Sequence, residues 1–387
     1  MMVGSRRTFV LAALVAATPL LIQIGAAAQA PPRAPAPAQA EKVPLTDEVF
    51  KSIEVLKGIP VDTFFETMGM FASAMGNDCT FCHVSGAYFD KTAFAEVTPR
   101  MRRARQMFTM MNALNEQYFA GRTRVTCFTC HGGTNTPKSE PDLAIQYGEP
   151  VEDPNARDFP VDTRVTADQV FDKYLQALGG ADRVARLTSF TARGTYAGFD
   201  TSLEKVPVEV FAKAPNQQTM VVHLATGAST RTFDGRNGWY AGPDQPVPLL
   251  TLTEGNLDRA RLEAIVAFPG GIKTAFPRWR LGRTAIDGKE VRIVQGMGDA
   301  QALANFYFDD AGLLVRMVRW TRTPVGFIPT QVDYANYRDV AGVKVPFKRT
   351  VSQTYMQMTI ELTDVTPNAA IEAAKFARPA PVTPVSK

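Results

Sequence analysis

The sequence predicts an α+β protein in two domains, an N-terminal all-α module followed by a C-terminal antiparallel β half-barrel with a few helices. Three observations carry this expectation. Apolar residues recur at helical spacing from about Lys42 to Thr136, around two C-x-x-C-H runs. After Gly180 the texture changes to short alternating runs separated by Asp-Gly and Asn-Gly pairs. Between the two lies a stretch, 137–165, rich in proline and acid and without periodicity.

The N-terminus reads as an export signal over residues 1–30. Arg6-Arg7 form its positive start, Phe9 to Ile24 its apolar run, and Ala28-Gln29-Ala30 the small residues of a cleavage site after Ala30. Ser5-Arg6-Arg7-Thr8-Phe9-Val10 also fits a twin-arginine signal, so both export routes stay open. Either route predicts a periplasmic protein, held at the inner-membrane surface only through a partner. Residues 31–42 form a Pro/Ala linker that should be extended.

The helical module is placed at 43–140. Val49, Ile53 and Leu56 share one helical face, Gly58-Ile59-Pro60 breaks it, and a helix from Asp62 carries Phe64, Phe65 and Met68 before stopping at Gly76-Asn77. Thr98-Pro99 supplies a cap and a proline at the first helical position, opening a helix to about Phe119 with Met107, Met110, Met111, Leu114 and Tyr118 on one stripe. The interdomain linker follows at 141–165 and the β-rich domain at 166–376. Thr166 caps a helix bearing Val170, Tyr174 and Leu178, closed by Gly179-Gly180. Val206, Val208 and Val210 alternate, as do Val343, Val345 and Phe347, and Asp234-Gly235, Asn237-Gly238, Asp287-Gly288 and Ala311-Gly312 mark turns. Asn256 to Phe268 is the one clear later helix, and 377–387 is a loose tail.

Cys79-Thr80-Phe81-Cys82-His83 and Cys127-Phe128-Thr129-Cys130-His131 are the attachment signature of c-type haem, and together they use all four cysteines and two of the three histidines. In each, two thiols, Cys79 and Cys82 or Cys127 and Cys130, would bind the haem covalently, and His83 or His131 would be the proximal iron ligand. Two covalently bound haem c groups are therefore expected. A four-thiolate zinc site, two redox-active C-x-x-C disulfides or a structural disulfide framework are the alternatives. Zinc explains the thiols but not both following histidines. A low-spin haem needs a sixth ligand, and methionine is the available soft donor. Met68, Met70 and Met75 precede the first motif; Met101, Met107, Met110 and Met111 precede the second. Spacing does not choose among them, and methionine on a helical stripe also serves as core filler. His223, in Met220-Val221-Val222-His223-Leu224, reads as a sheet residue.

A net charge of +4 with 45% hydrophobic residues fits a globular chain and argues against a nucleic-acid binder. Arg100, Arg102, Arg103 and Arg105 form the densest basic cluster, suited to haem propionates or an acidic redox partner, or else a solvated helix face. No nucleophile-base-acid constellation stands out, so an electron-transfer protein rather than an enzyme is expected. The rival readings are a dihaem peroxidase, which would leave one sixth position open, and an apolar-ligand carrier whose haems act as a redox sensor.

Around the motifs the chain resembles the cytochrome c subunit family of photosynthetic reaction centres. Cys79-Thr80-Phe81-Cys82-His83-Val84, Gln106-Met107-Phe108-Thr109-Met110-Met111-Asn112-Ala113-Leu114-Asn115 and Val125-Thr126-Cys127-Phe128-Thr129-Cys130-His131-Gly132-Gly133 carry the resemblance, over about residues 43–140. It implies a dihaem module exchanging electrons with periplasmic or membrane-bound redox partners, photosynthetic transport being one such role. It also implies Met68 and Met107 as axial ligands, with Met70 and Met110 the runners-up. The family usually carries four haems, a distal histidine for which 118–126 offer no counterpart, and a lipid anchor, which is not expected here because no cysteine follows the expected cleavage region. Residues 165–376 are similar to the periplasmic lipoprotein-carrier (LolA-like) group through Leu178-Gly179-Gly180, Phe233-Asp234-Gly235-Arg236 and Phe308-Asp309-Asp310-Ala311-Gly312-Leu313-Leu314-Val315. That likeness implies a curved sheet around helices, with an apolar ligand as a further partner.

Overall fold

A computed structural model describes residues 42–149, 153–243, 245–298 and 302–382. The export signal, the Pro/Ala linker up to Glu41 and the last residues of the tail lie outside them. The helices are α1 (Thr46–Val49), α2 (Val61–Met75), α3 (Pro99–Phe119), α4 (Cys127–His131), α5 (Leu143–Tyr147), α6 (Ala167–Leu178), α7 (Ala181–Arg186) and α8 (Glu254–Ala267). The strands are β1 (Ser189–Gly198), β2 (Val206–Lys213), β3 (Gln217–Leu224), β4 (Gly227–Phe233), β5 (Gly238–Ala241), β6 (Leu250–Thr251), β7 (Arg278–Ile286), β8 (Lys289–Met297), β9 (Ala302–Phe308), β10 (Leu314–Thr323), β11 (Gly326–Val340), β12 (Val343–Ser352) and β13 (Gln357–Pro367).

All thirteen strands lie in one antiparallel sheet of order β6-β5-β4-β3-β2-β1-β13-β12-β11-β10-β9-β8-β7. Two meanders grow outward from the β1/β13 pair, so the open edges β6 and β7 are consecutive in sequence, and α8 joins them. The sheet is thus an open half-barrel, as expected. Two-residue hairpins join β3 to β4, β7 to β8, β10 to β11 and β11 to β12. At Asp287-Gly288 both residues have positive φ, 50° and 73°, the combination whose twist matches the flanking strands.

The alternating residues point inward as their period requires. Val208, Val210, Val343 and Phe347 are buried in a core with Phe171, Tyr174 and Leu178 of α6. Thr166 starts α6 with a reciprocal cap: its Oγ1 accepts from the Gln169 N–H, and Gln169 Oε1 accepts from the Thr166 N–H. His223 stands exposed on β3 with Nε2 3.3 Å from Glu209 Oε2, a surface sheet residue as expected.

The helix expected through Val49, Ile53 and Leu56 is reduced to one turn. Phe50 is extended, Ser52 has φ 63°, and Asp47 Oδ1 accepts the Gly58 N–H at 2.8 Å, so local side-chain bonding wins over helical propagation. The proline-rich stretch is held against the sheet. Phe159 packs beside Val291, Ile293, Tyr307 and Trp320, and the Asp162 carboxylate accepts from Arg164, Arg283 and Arg292. Those bonds, led by the Arg164 guanidinium, hold the Asp162 carboxyl well below the usual carboxylate range.

Helix α2 packs into this framework with a polar face. Asp62 accepts from the Thr253 N–H and Oγ1–H, each at 2.7 Å, and Glu66 Oε1 accepts from Gln353 Nε2 at 3.1 Å. Burial raises the affinity of both carboxyls for a proton, and the Arg319 and Arg259 guanidiniums oppose this at Glu66. Gly69 is the point of closest approach, where a Cβ would come within 2.6 Å of the Tyr355 ring, so any side chain there would force the β12–β13 turn away. On its other flank Met70 packs with Val325 and Ile328 from the β10–β11 hairpin.

Beneath α2, Arg259 Nε donates to Glu263 Oε1 at 2.7 Å within α8. Burial alone would raise the Glu263 pKa, but Arg259 and Arg231 outweigh it and bring it down to about 2. A depressed carboxylate stabilises the fold above its ordinary titration range, and this contribution fades as pH falls toward about 2. Removing one partner of a buried pair leaves the other charge unmatched, so Glu263→Gln should cost about 3–5 kcal/mol at neutral pH. It should also flatten the acid limb of stability, as read by denaturant unfolding at several pH values. Equal acid sensitivity in both proteins would contradict this assignment.

Candidate haem sites

The first C-x-x-C-H run follows directly on α2. Gly76 (φ 62°) ends the helix, and Asp78 Oδ1 accepts from the Thr80 N–H at 2.8 Å, starting a short 3-10 turn, Cys79–Phe81. The His83 N–H reaches the Cys79 carbonyl at 3.0 Å, so one turn carries both thiols and the imidazole. The second run is itself a helix, α4, capped by Thr126 Oγ1 on the Thr129 N–H and closed by Gly132 at φ 56°.

Both imidazoles are oriented in the same way. His83 Nδ1 lies 3.0 Å from the Phe94 carbonyl oxygen and His131 Nδ1 lies 3.2 Å from the Thr134 carbonyl oxygen. A carbonyl can only accept, so Nδ1 carries the proton in each ring and Nε2 is left as the free donor atom for a metal. The Phe94 ring also meets the His83 ring edge-on at 5.0 Å. Burial lowers the His83 pKa, which favours the neutral ring over the charged one. Phe94 and Thr134 are the functional positions that the sequence leaves silent, because their contribution is a backbone oxygen that any residue possesses.

The flanking elements fix the two turns. Thr98, the cap of α3, accepts from the Met101 N–H at 3.1 Å and donates its Oγ1–H to the Cys82 carbonyl at 2.5 Å. Arg100 lies 4.1 Å over the Phe81 ring and donates to the Phe81 carbonyl at 2.8 Å. Of the remaining basic cluster, Arg105 pairs with Glu54, Arg102 reaches the Val97 carbonyl, and Arg103 is exposed. Buried Asn115 accepts from the Arg124 and Val125 N–H groups at 2.9 Å and donates to the Val125 carbonyl at 2.7 Å, setting the approach to α4. The Gly133 N–H then donates to the Ala74 carbonyl at 3.0 Å, so the exit of the second run meets the last turn of α2.

No disulfide joins Cys79, Cys82, Cys127 and Cys130. Burial pushes Cys79 and Cys82 up and carries Cys127 to about 11. Thiols of exchange-active C-x-x-C disulfides shift the other way. Among the described residues no three or more Cys, His, Asp or Glu side chains gather as a metal site, so the geometry does not draw the thiols into one zinc centre.

Met68 on α2 and Met107 on α3 are half-buried, and Met68 joins an apolar cluster with Leu56, Phe108 and Cys127. Met70 and Met111 are buried in the same cluster, whereas Met110 is 47% exposed. The segment that carries these turns exposes many apolar side chains. Ten of the thirteen large apolar side chains exposed among the described residues lie between 88 and 147, including Phe89 at 93% and Phe128 at 49%. Such a surface fits two porphyrin faces better than it fits water. The residues present therefore fit haem c.

Residues 10–154 match the family described as the photosynthetic reaction centre cytochrome C subunit. Over 106 residues the chain is 32% identical to the photosynthetic reaction center cytochrome c subunit of Thermochromatium tepidum, covering 26% of this chain and 25% of that protein. The chain thus spans about a quarter of the length of this curated relative. Among solved structures, it is similar to a LolA superfamily protein from Nitrosomonas europaea, with a TM-score of 0.38, 11% identity, and 55% of this chain and 98% of that one covered. A DUF1329 family protein from Desulfovibrio piger gives a TM-score of 0.38 and 9% identity, with 54% of this chain and 96% of that one covered. The N-terminal segment that bears both C-x-x-C-H runs is therefore similar in sequence to the reaction-centre cytochrome c subunits.

Proposed function

We propose that this chain is a periplasmic dihaem c-type cytochrome that passes electrons between protein redox partners. The observation that carries the reading is the matched pair of imidazoles. Each directly follows a C-x-x-C pair, and each has Nδ1 held by a backbone carbonyl so that Nε2 is free. Haem, when bound, supplies the one-electron chemistry of its iron. The chain's own residues do the rest. Cys79, Cys82, Cys127 and Cys130 would hold the two haems covalently, and His83 and His131 would ligate their irons. The Phe94 and Thr134 carbonyls keep those rings in a single tautomer. Met68 and Met107, on the flanking helices, are the proposed second iron ligands, and the exposed apolar side chains of this segment would cover haem surface.

The protein isolated from a host with haem-maturation machinery should carry the mass of two haems, with the export signal removed near Ala30. Cys79→Ala combined with Cys82→Ala should remove the mass of one haem and leave the other. A bare polypeptide mass for the unaltered protein would refute the reading.

The methionine assignment has a separate readout. Thioether sulfur on low-spin ferric iron gives a weak charge-transfer band in the far red. Met68→Ala and Met107→Ala should each remove about half of that band and lower the potential of one haem, since methionine ligation raises it. Met70→Ala and Met110→Ala should leave the band intact. Loss of the band in those two variants, with Met68 and Met107 silent, would reassign the ligands without touching the haem count.

A further inference from the structure

The β10–β11 hairpin does not end in water. Its two tip residues are Pro324 and Val325, and Val325 is 0% exposed. Loop tips are ordinarily the most solvated part of a sheet, so a fully buried apolar tip marks an inserted one. Thr323, itself buried, stiffens the turn. Its Oγ1–H donates to the Gly326 carbonyl at 2.8 Å, and its oxygen accepts the Val325 N–H at 3.3 Å. The hairpin therefore presents Val325 and Ile328 at a fixed place in the cluster that also holds Met70, Phe108 and Cys127.

The contact falls on the second haem-attachment turn. Gly326 faces Thr126, the cap of α4, and a Cβ at Gly326 would lie 2.7 Å from Thr126 Cγ2. Cys127, the next residue, is half-buried against the same cluster as Val325. The first turn is built differently. Its fixing bonds come from Asp78, Phe94, Thr98 and Arg100, close by in the chain, and neither Cys79 nor Cys82 is among the side chains packed on that cluster. Two runs with one signature thus have unlike supports, one local and one supplied by the sheet.

We infer, on the dihaem reading above, that the β10–β11 hairpin is a positioning element of the second haem site, through which the sheet sets the potential of that haem. Val325 and Gly326 act through Cys127 and Thr126, seating the turn and keeping its inner side apolar. Oxidised iron carries one more positive charge than reduced iron, so an apolar support behind the attachment turn favours the reduced form and raises the potential.

Spectroelectrochemical titration of the full, haem-bearing chain tests this, with the second haem identified in the paired Cys79→Ala, Cys82→Ala variant that should retain it. Val325→Thr nearly keeps the shape of the side chain but puts a hydroxyl into the cluster. It should move the reduction equilibrium of the second haem at least about threefold toward the oxidised form, about 28 mV for one electron, and that of the first haem by less. Gly326→Ala, which presses on Thr126, should also shift the second haem more than the first. Val318→Thr is the control, since it makes the same exchange at a buried site of the same strand, but in the cluster with Tyr307 and Trp320. It should leave both potentials unchanged. Equal shifts at the two haems, a shift in Val318→Thr as large as in Val325→Thr, or unchanged potentials in the hairpin variants would overturn the inference and leave the dihaem reading standing. An unaltered chain without covalent haem would remove both. The two hairpin variants alter the contact through different atoms, so where one fails to fold the other decides.

Discussion

Two carboxylates taken out of water hold the helical segment to the sheet. Asp62 and Glu66 lie on consecutive turns of α2, and each finds its hydrogen bonds on residues far away in sequence, Thr253 and Gln353. Apolar packing of Met70 against Val325 and Ile328 supplies attraction but little direction. The carboxylates supply the direction, because a buried acid without hydrogen bonds is expensive, and this docking gives Asp62 its bonds from Thr253 and Glu66 one from Gln353. Once α2 is fixed, Gly76 ends it, the first motif turns off its end, and the Gly133 N–H on the Ala74 carbonyl seats the second motif beside it. The positions of both histidines follow from that docking.

Much of this was legible in the sequence where local chemistry decides the outcome. Thr98-Pro99 starts α3, Thr166 with Gln169 starts α6, and Asp287-Gly288 makes a hairpin corner, each through bonds within three residues. The alternation at Val206, Val208 and Val210 likewise survives, since a half-buried strand has only one way to hide its apolar side. What stays hidden is decided at long range. The β1/β13 pairing that unites the two meanders leaves no periodic trace. The polar face of α2 reads as a solvated surface until the sheet is placed against it. The short α1 shows the opposite failure, because an apolar helical period there is overruled by Asp47 bonding to Gly58.

At the candidate site the same division holds. Side-chain identity marks Cys79, Cys82, His83, Cys127, Cys130 and His131 at once. The carbonyls of Phe94 and Thr134, which set the tautomers, have no sequence signature. Exposure does not select among the methionines. Met110 is exposed and Met70 is buried at the sheet contact, while Met68, Met75, Met101 and Met107 are all half-buried.

The docking of α2 also orders events during synthesis. Its partners lie 191 and 287 residues downstream, so the helix and both cysteine pairs leave the ribosome long before Thr253 and Gln353 exist. Throughout that interval Asp62 and Glu66 face water, where charged carboxylates are at ease and keep an otherwise apolar helix from sticking to its neighbours. The groups that are costly to bury in the finished protein thus act as solubilising gatekeepers in the nascent one.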